Sequence, residues 1–157
     1  MTLLDDIYSP RILELAANIP LGERLAGPDA TATAHSKLCG STVTVDLDLE
    51  DGRVARYGQT VKACLLGQAA ASIMARNIVG TTPGELRRVG AEMRAMLREN
   101  GPSPTGRWAD LAVLEPVRDY RARHASTLLV FDAVEDALAQ IEKAGTGASG
   151  NSVRSGA

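Results

Sequence analysis

Two cysteines carry most of the reactive chemistry in this chain. Cys39 lies in "SKLCGSTV" and Cys64 in "KACLLGQ". A thiolate binds soft and borderline metal ions and attacks sulphur, which a serine hydroxyl does not. Two cysteines in 157 residues make no disulfide framework. They fit a reducing cytosol, where thiols stay free. The competing reading is packing, because unpaired cysteines are among the most buried residue types. The histidines add little by themselves. His35 alternates within a strand-like run and reads as structural as readily as functional. His124, in "RARHASTLL", precedes the last helical pattern and matters only if the fold brings it to the thiols.

The elements between the cysteines decide whether they meet. "TVTVDLDLE" alternates strictly, with Val43, Val45, Leu47 and Leu49 on one face and Thr42, Thr44, Asp46, Asp48 and Glu50 on the other. That is the period of a half-buried strand. "EDGR" supplies an Asp-Gly hairpin turn into "RVARYGQTV". "ATATAHS" provides a third strand beside them. A hairpin returns the chain to its starting edge, so Cys39 before its first strand and Cys64 after its second should share that edge. Cys64 also opens a helical run, where the positive end of the helix dipole favours a thiolate. Gly40 beside Cys39 permits a tight turn.

Helices surround this hairpin in the sequence pattern. "YSPRILELAANI" begins with Ser9 as N-cap and Pro10 at the first helical position, and its apolar face is Ile12, Leu13, Leu15, Ala16 and Ile19. "CLLGQAAASIMARNIVG" is a small-residue helix stopped by Gly80. Thr82 and Glu85 form a capping-box signature for the next helix, which buries Leu86, Val89, Met93, Met96 and Leu97. "RWADLAVLEPV" predicts a short helix anchored by Trp108, and a final helix runs to about Lys143. The expected architecture is α+β: an N-terminal helix, then a small three-stranded antiparallel sheet with helices packed on one face. A single domain over 1–143 and a disordered Gly/Ser-rich tail over 144–157 complete the expectation.

Composition narrows the functions. The net charge is −2, so nothing marks a nucleic-acid or anionic-membrane binder. The modest cluster Arg118, Arg121 and Arg123 reads as a solvated face or a protein-docking patch. No apolar run approaches the roughly 20 residues of a membrane span, and "MTLLDDIYSP" does not read as a secretory signal. The expectation is a cytoplasmic protein with no nucleic-acid or membrane partner.

Three stretches together, "IYSPRILELAAN", "LCGSTVTVDLDLEDGRV" and "VKACLLGQAAASIMA", resemble the IscU/NifU-type iron–sulphur cluster scaffolds. The resemblance spans about residues 5–140. The added stretch "MLRENGPSPTGRWADLAVLEPVR" makes the chain most similar to the SufU-type branch. The resemblance implies an α+β fold with a three-stranded sheet. It also implies a site of three cysteines and an aspartate that holds zinc or iron and assembles a cluster. The implied partners are a cysteine desulfurase that supplies sulphur and the apo iron–sulphur proteins that receive the cluster.

Carried over by residue, Cys39 matches the first cysteine and Cys64 the second. Ser41 stands where the family has its aspartate. A gap-free match puts Ser126 in place of the third cysteine, with His124 two positions earlier as the alternative ligand if the register slips. The metal-ligand candidates are therefore Cys39 and Cys64, then His124, Ser126 and Ser41. The implied cargo is an Fe–S cluster or a zinc or iron ion held by an incomplete ligand set. The expected function is a non-enzymatic scaffold or carrier, whose missing ligands come from His124, from a small thiol, or from a second subunit in a homodimer that shares one cluster. The alternative is a diverged module that docks on a cysteine desulfurase or another assembly protein without holding a cluster. A third reading makes Cys64 a nucleophile, for which His124 is the only credible base.

Overall fold

The computed structural model describes residues 8–37 and 40–149, with side chains through 144. Helix α1 spans Pro10–Ala17. The Ser9 hydroxyl accepts from the Ile12 amide at 3.3 Å, and Pro10 fills the first turn where no amide is needed. Ile12, Leu15 and Ala16 are buried. Leu13, expected on the same face, is instead 45% exposed.

Strands β1 (Ala30–His35), β2 (Thr42–Glu50) and β3 (Arg53–Lys62) form an antiparallel sheet in the order β1-β2-β3. The β2–β3 hairpin turns through Asp51 and Gly52, both at positive φ, as a type I′ connection demands. Val43, Val45 and Leu47 point to the core and are fully buried. Tyr57 and Gln59 pair with Leu47 and Val45 and so share that face. The Tyr57 hydroxyl donates to Gln59 Oε1 at 2.6 Å, and Gln59 Nε2 donates to the Ala71 carbonyl at 3.0 Å. This buried pair ties β3 to the helix that follows.

The opposite face of the sheet departs from the simple alternation. Asp46 belongs to the polar set of β2 yet is fully buried. The segment 21–25 crosses that face. Leu21 O accepts from the Gln59 amide at 3.0 Å, and a Cβ on Gly58 would lie 2.2 Å from Glu23 O. Asp46 accepts from Arg24 Nε at 2.6 Å, from the Leu25 amide at 3.0 Å and from Thr31 Oγ1. Burial alone would raise this carboxyl, but the bonds from Arg24, Thr31 and Leu25 outweigh it and hold the group below the ordinary aspartate range.

Helix α2 (Leu65–Asn77) is buried along most of its length. Its run of Ala69, Ala70, Ala71 and Ser72 lets neighbours approach from several sides, and it packs on α1. Helix α3 (Pro83–Arg98) begins at Thr82, whose hydroxyl accepts from the Glu85 amide at 3.2 Å. The reciprocal half of the capping box is absent. Glu85 instead accepts from Trp108 Nε1 at 2.8 Å. The stretch Gly106–Asp119 is a 3-10 helix rather than the expected short α-helix. Its buried residues Trp108, Leu111, Leu114 and Val117 recur every third position, the period of a 3-10 turn, and Pro116 opposes α-helical bonding. A second short 3-10 turn, Arg121–Arg123, leads into α4 (His124–Ser149), which packs on α2, α3, β1 and β2. Helix α4 continues past Lys143, so the first residues of the Gly/Ser-rich tail are helical in backbone. The remainder of the tail, 150–157, lies outside the described residues.

Among the described residues no helix is long and apolar enough to cross a membrane.

Candidate metal centre

Strand register brings the site elements to one end of the sheet. His35 pairs with Thr42 and Thr42 with Lys62, so the end of β1, the start of β2 and the end of β3 coincide there. The β1–β2 connection is tight. The Ser36 amide donates to Ser41 O and the Gly40 amide to Ser36 O, each at 2.9 Å. Gly40 sits at φ 72, which only glycine adopts readily. Cys39 belongs to this connection in sequence and lies outside the described residues. Ser41 is 4% exposed, on the connection's return into β2.

Cys64 follows directly from β3 as the N-cap of α2. Its backbone is extended and its carbonyl accepts from the Gln68 amide at 2.9 Å. Its thiol does not cap the helix, so the side chain is left for other contacts. Gln68 Nε2 donates to the Ala63 carbonyl at 2.8 Å and fixes the entry turn from outside. Cys64 is half-buried and unpaired.

The third component arrives from α4. Ser126 Oγ lies 3.4 Å from Cys64 Sγ. Gly67 makes this approach possible: a Cβ there would sit 2.8 Å from Ala63 Cβ and 3.1 Å from the Ser126 carbonyl oxygen. The start of α4 is held by hydroxyls turned back onto the chain. Ser126 Oγ and Thr127 Oγ1 donate to the Arg123 carbonyl at 3.3 and 2.7 Å. With its proton directed at Arg123 O, the Ser126 hydroxyl offers a lone pair to the Cys64 thiol. Lys37, Lys62 and Arg123 flank these positions in sequence, and all three are cationic. That balance complements an anionic thiolate–metal assembly.

His124 takes a different direction. Two residues along a helix is a rotation of about 200°, so the side of α4 that meets Cys64 is not the side of His124. Its Nε2 lies 3.1 Å from both the Val117 and Arg118 carbonyls, which marks that nitrogen as the protonated one. His35 is exposed near the end of β1. The structure thus brings Cys64 and Ser126 together and leaves His124 apart from them. Among the described residues, no three His, Cys, Asp or Glu side chains converge as a metal site. The residue missed in the sequence is Gly67. The signal was available, since a glycine inside a helix commonly marks a close approach.

The chain is thus an α+β domain with a three-stranded sheet, a cysteine at a helix start and a hydroxyl brought to it from the last helix. The chain is similar over its length to solved and curated proteins of that kind. It is 59% identical to a nitrogen-fixing NifU-like protein (N-terminal) from Brucella abortus, with a TM-score of 0.89, covering 90% of this chain and 99% of that one. A putative iron–sulphur cluster assembly scaffold protein for the SUF system from Fervidobacterium islandicum shares the fold, with a TM-score of 0.79 at 19% identity over 85% of this chain and 98% of that one. The iron–sulphur cluster assembly scaffold protein IscU of Thermotoga maritima is 29% identical over 140 residues, 87% of this chain and 96% of that protein. No family model matches the chain. The chain belongs to the IscU/NifU-like family of iron–sulphur cluster assembly scaffolds.

Proposed function

We propose that this chain is a scaffold or carrier that holds iron or a labile iron–sulphur cluster through Cys39 and Cys64, with Ser126 as the second-rank partner of Cys64. The observation that carries the reading is the 3.4 Å approach of Ser126 Oγ to Cys64 Sγ, where family resemblance places a third cysteine. When Cys64 loses its proton to a metal, the Ser126 hydroxyl turns and donates to the sulphur. The Arg123 carbonyl then keeps its bond from Thr127. Ser41 belongs to the connection that carries Cys39, and its hydroxyl is a weak donor for such metals.

A [2Fe–2S] centre takes four thiolates, and one chain holds two cysteines. Two chains therefore share one cluster, each contributing Cys39 and Cys64. A zinc or iron ion is the smaller cargo of the same site. Sulphur comes from a cysteine desulfurase, and the cluster passes to apo iron–sulphur proteins. The chain itself performs no catalytic turnover, and its place is the cytoplasm.

Anaerobic reconstitution with ferrous iron and sulphide tests this reading. Wild type retains iron and acid-labile sulphide, and Cys39→Ala/Cys64→Ala retains neither. Equal retention by the two would leave the family's alternative, a module that docks on assembly proteins without holding a cluster.

A further inference from the structure

A polar cavity lies on the His124 side of α4, and its lining points to an anion. It has a volume of about 280 Å³ and is bounded by Arg98 at the end of α3 and Asn100 just beyond it, by Arg118 and Asp119 at the end of the long 3-10 segment, and by Arg121 and His124 at the entry to α4. Three arginines therefore line one small space.

Two of these arginines lack the side-chain partners that most others have among the described residues. Arg24, Arg56, Arg87 and Arg94 each hold a carboxylate, and Arg53 and Arg76 hold backbone carbonyls. Among the described residues Arg98 and Arg121 have no carboxylate or carbonyl partner. Arg118 is half-satisfied. Its Nη2 donates to the Gly101 carbonyl at 3.1 Å and lies 3.4 Å from Glu115 Oε2. Its Nε is sealed from solvent with no hydrogen-bond partner. Sealed by protein atoms, that nitrogen is out of a ligand's reach, and its uncompensated N–H leaves the Arg118 charge only partly balanced.

The negative groups do not cancel this set. Asp119 is the one carboxylate residue in the lining, against three arginines. Glu115 is shared between Arg118 and the Ser103 hydroxyl, which donates to it at 3.3 Å. His124 shapes the wall with Nε2 already bonded to backbone. The positive end of α4 at His124 and the negative end of α3 at Arg98 both border the cavity and offset each other, so the arginines set its field. Guanidinium forks match the tetrahedral oxygens of phosphate in bidentate geometry. The cavity is small for an organic ligand, near the lower limit of ordinary ligand pockets.

We infer that this cavity binds a phosphate group, as free orthophosphate or on a small phosphate monoester, through Arg98, Arg118 and Arg121. The inference is independent of cluster binding. It also revises the reading of the basic cluster in the sequence. Arg118 and Arg121 face a cavity together with Arg98, and Arg123 leads instead to the Cys64 site.

Calorimetric titration of the full chain at constant ionic strength tests it, with orthophosphate, glycerol phosphate and chloride as separate probes. The expected result is one phosphate site per chain and no saturable binding of chloride. Arg98→Gln/Arg121→Gln should weaken phosphate at least tenfold. Both side chains are exposed, so the melting temperature should stay at the wild-type value. A tighter orthophosphate assigns the free ion, and a tighter glycerol phosphate assigns a monoester; either supports the site. Phosphate binding no different from chloride, or undiminished in the double variant, would overturn it.

Discussion

Replacing Ser126 with cysteine should convert a weak partner of Cys64 into a metal ligand. Two thiolates on tetrahedral zinc, each about 2.3 Å from the ion, lie roughly 3.8 Å apart. The present Cys64 Sγ to Ser126 Oγ separation is 3.4 Å, with both groups already in contact. A sulphur at 126 therefore needs only a small adjustment to share an ion with Cys64. Structural zinc sites release about 10–16 kcal/mol over four ligands, or about 3 kcal/mol for each. A third thiolate should thus tighten zinc by about a hundredfold. The assay is competition for zinc against a chromophoric chelator, under reductant so that the new thiol does not oxidise onto Cys64. Ser126→Ala is the control and should bind no more tightly than wild type. If Ser126→Cys leaves zinc affinity unchanged, then position 126 does not face the metal and the carry-over from the family is wrong at that residue.

Two further perturbations test the supports of the site and of the sheet. Gly67→Ala drives a Cβ into Ala63 and the Ser126 carbonyl, and overpacking of this kind costs about 1–3 kcal/mol. Thermal unfolding should show the loss, and metal retention should fall with it as α4 is pushed from Cys64. Asp46→Asn weakens bonds from Arg24, Thr31 and the Leu25 amide. Arg24 is half-exposed, so its share is discounted, leaving about 2 kcal/mol expected in a denaturant titration. Asp46 is held below its unfolded value. Its contribution is therefore complete above about pH 4, the unfolded aspartate range, and is lost as pH falls through the lower folded value. Wild type should lose stability over that acid window, and Asp46→Asn should lose less; parallel curves would show that Asp46 is not responsible.

How much of this was legible before the structure depends on the range of the cause. The β2–β3 hairpin follows from alternation and an Asp-Gly turn, both local, and its strands appear as expected. The Ser9 and Thr82 caps are local too, and both form. Asp46 was misjudged because its cover is the segment 21–25, which no period within β2 reveals. Glu85 left the capping box for the indole of Trp108, a partner distant in sequence. The 3-10 segment had a readable signal, apolar residues at every third position, set against a default expectation of α-helix. At the site, Cys64 stands at the end of the hairpin and Ser126 lies against it, as the alternation and the resemblance suggest, while Cys39 lies outside the described residues. The separation of His124 from that pair depends on helix phase and on the carbonyls of Val117 and Arg118, which only packing supplies.

The central claim is that two thiols per chain still hold a cluster. Iron and acid-labile sulphide, measured per chain after anaerobic reconstitution and read against oligomeric state, test it most directly. One iron and one sulphide per chain are expected on a dimer, as one [2Fe–2S] centre shared by two subunits, and none on Cys39→Ala/Cys64→Ala. Iron and sulphide no higher than in that variant, on a monomer that does not dimerise on reconstitution, would contradict it.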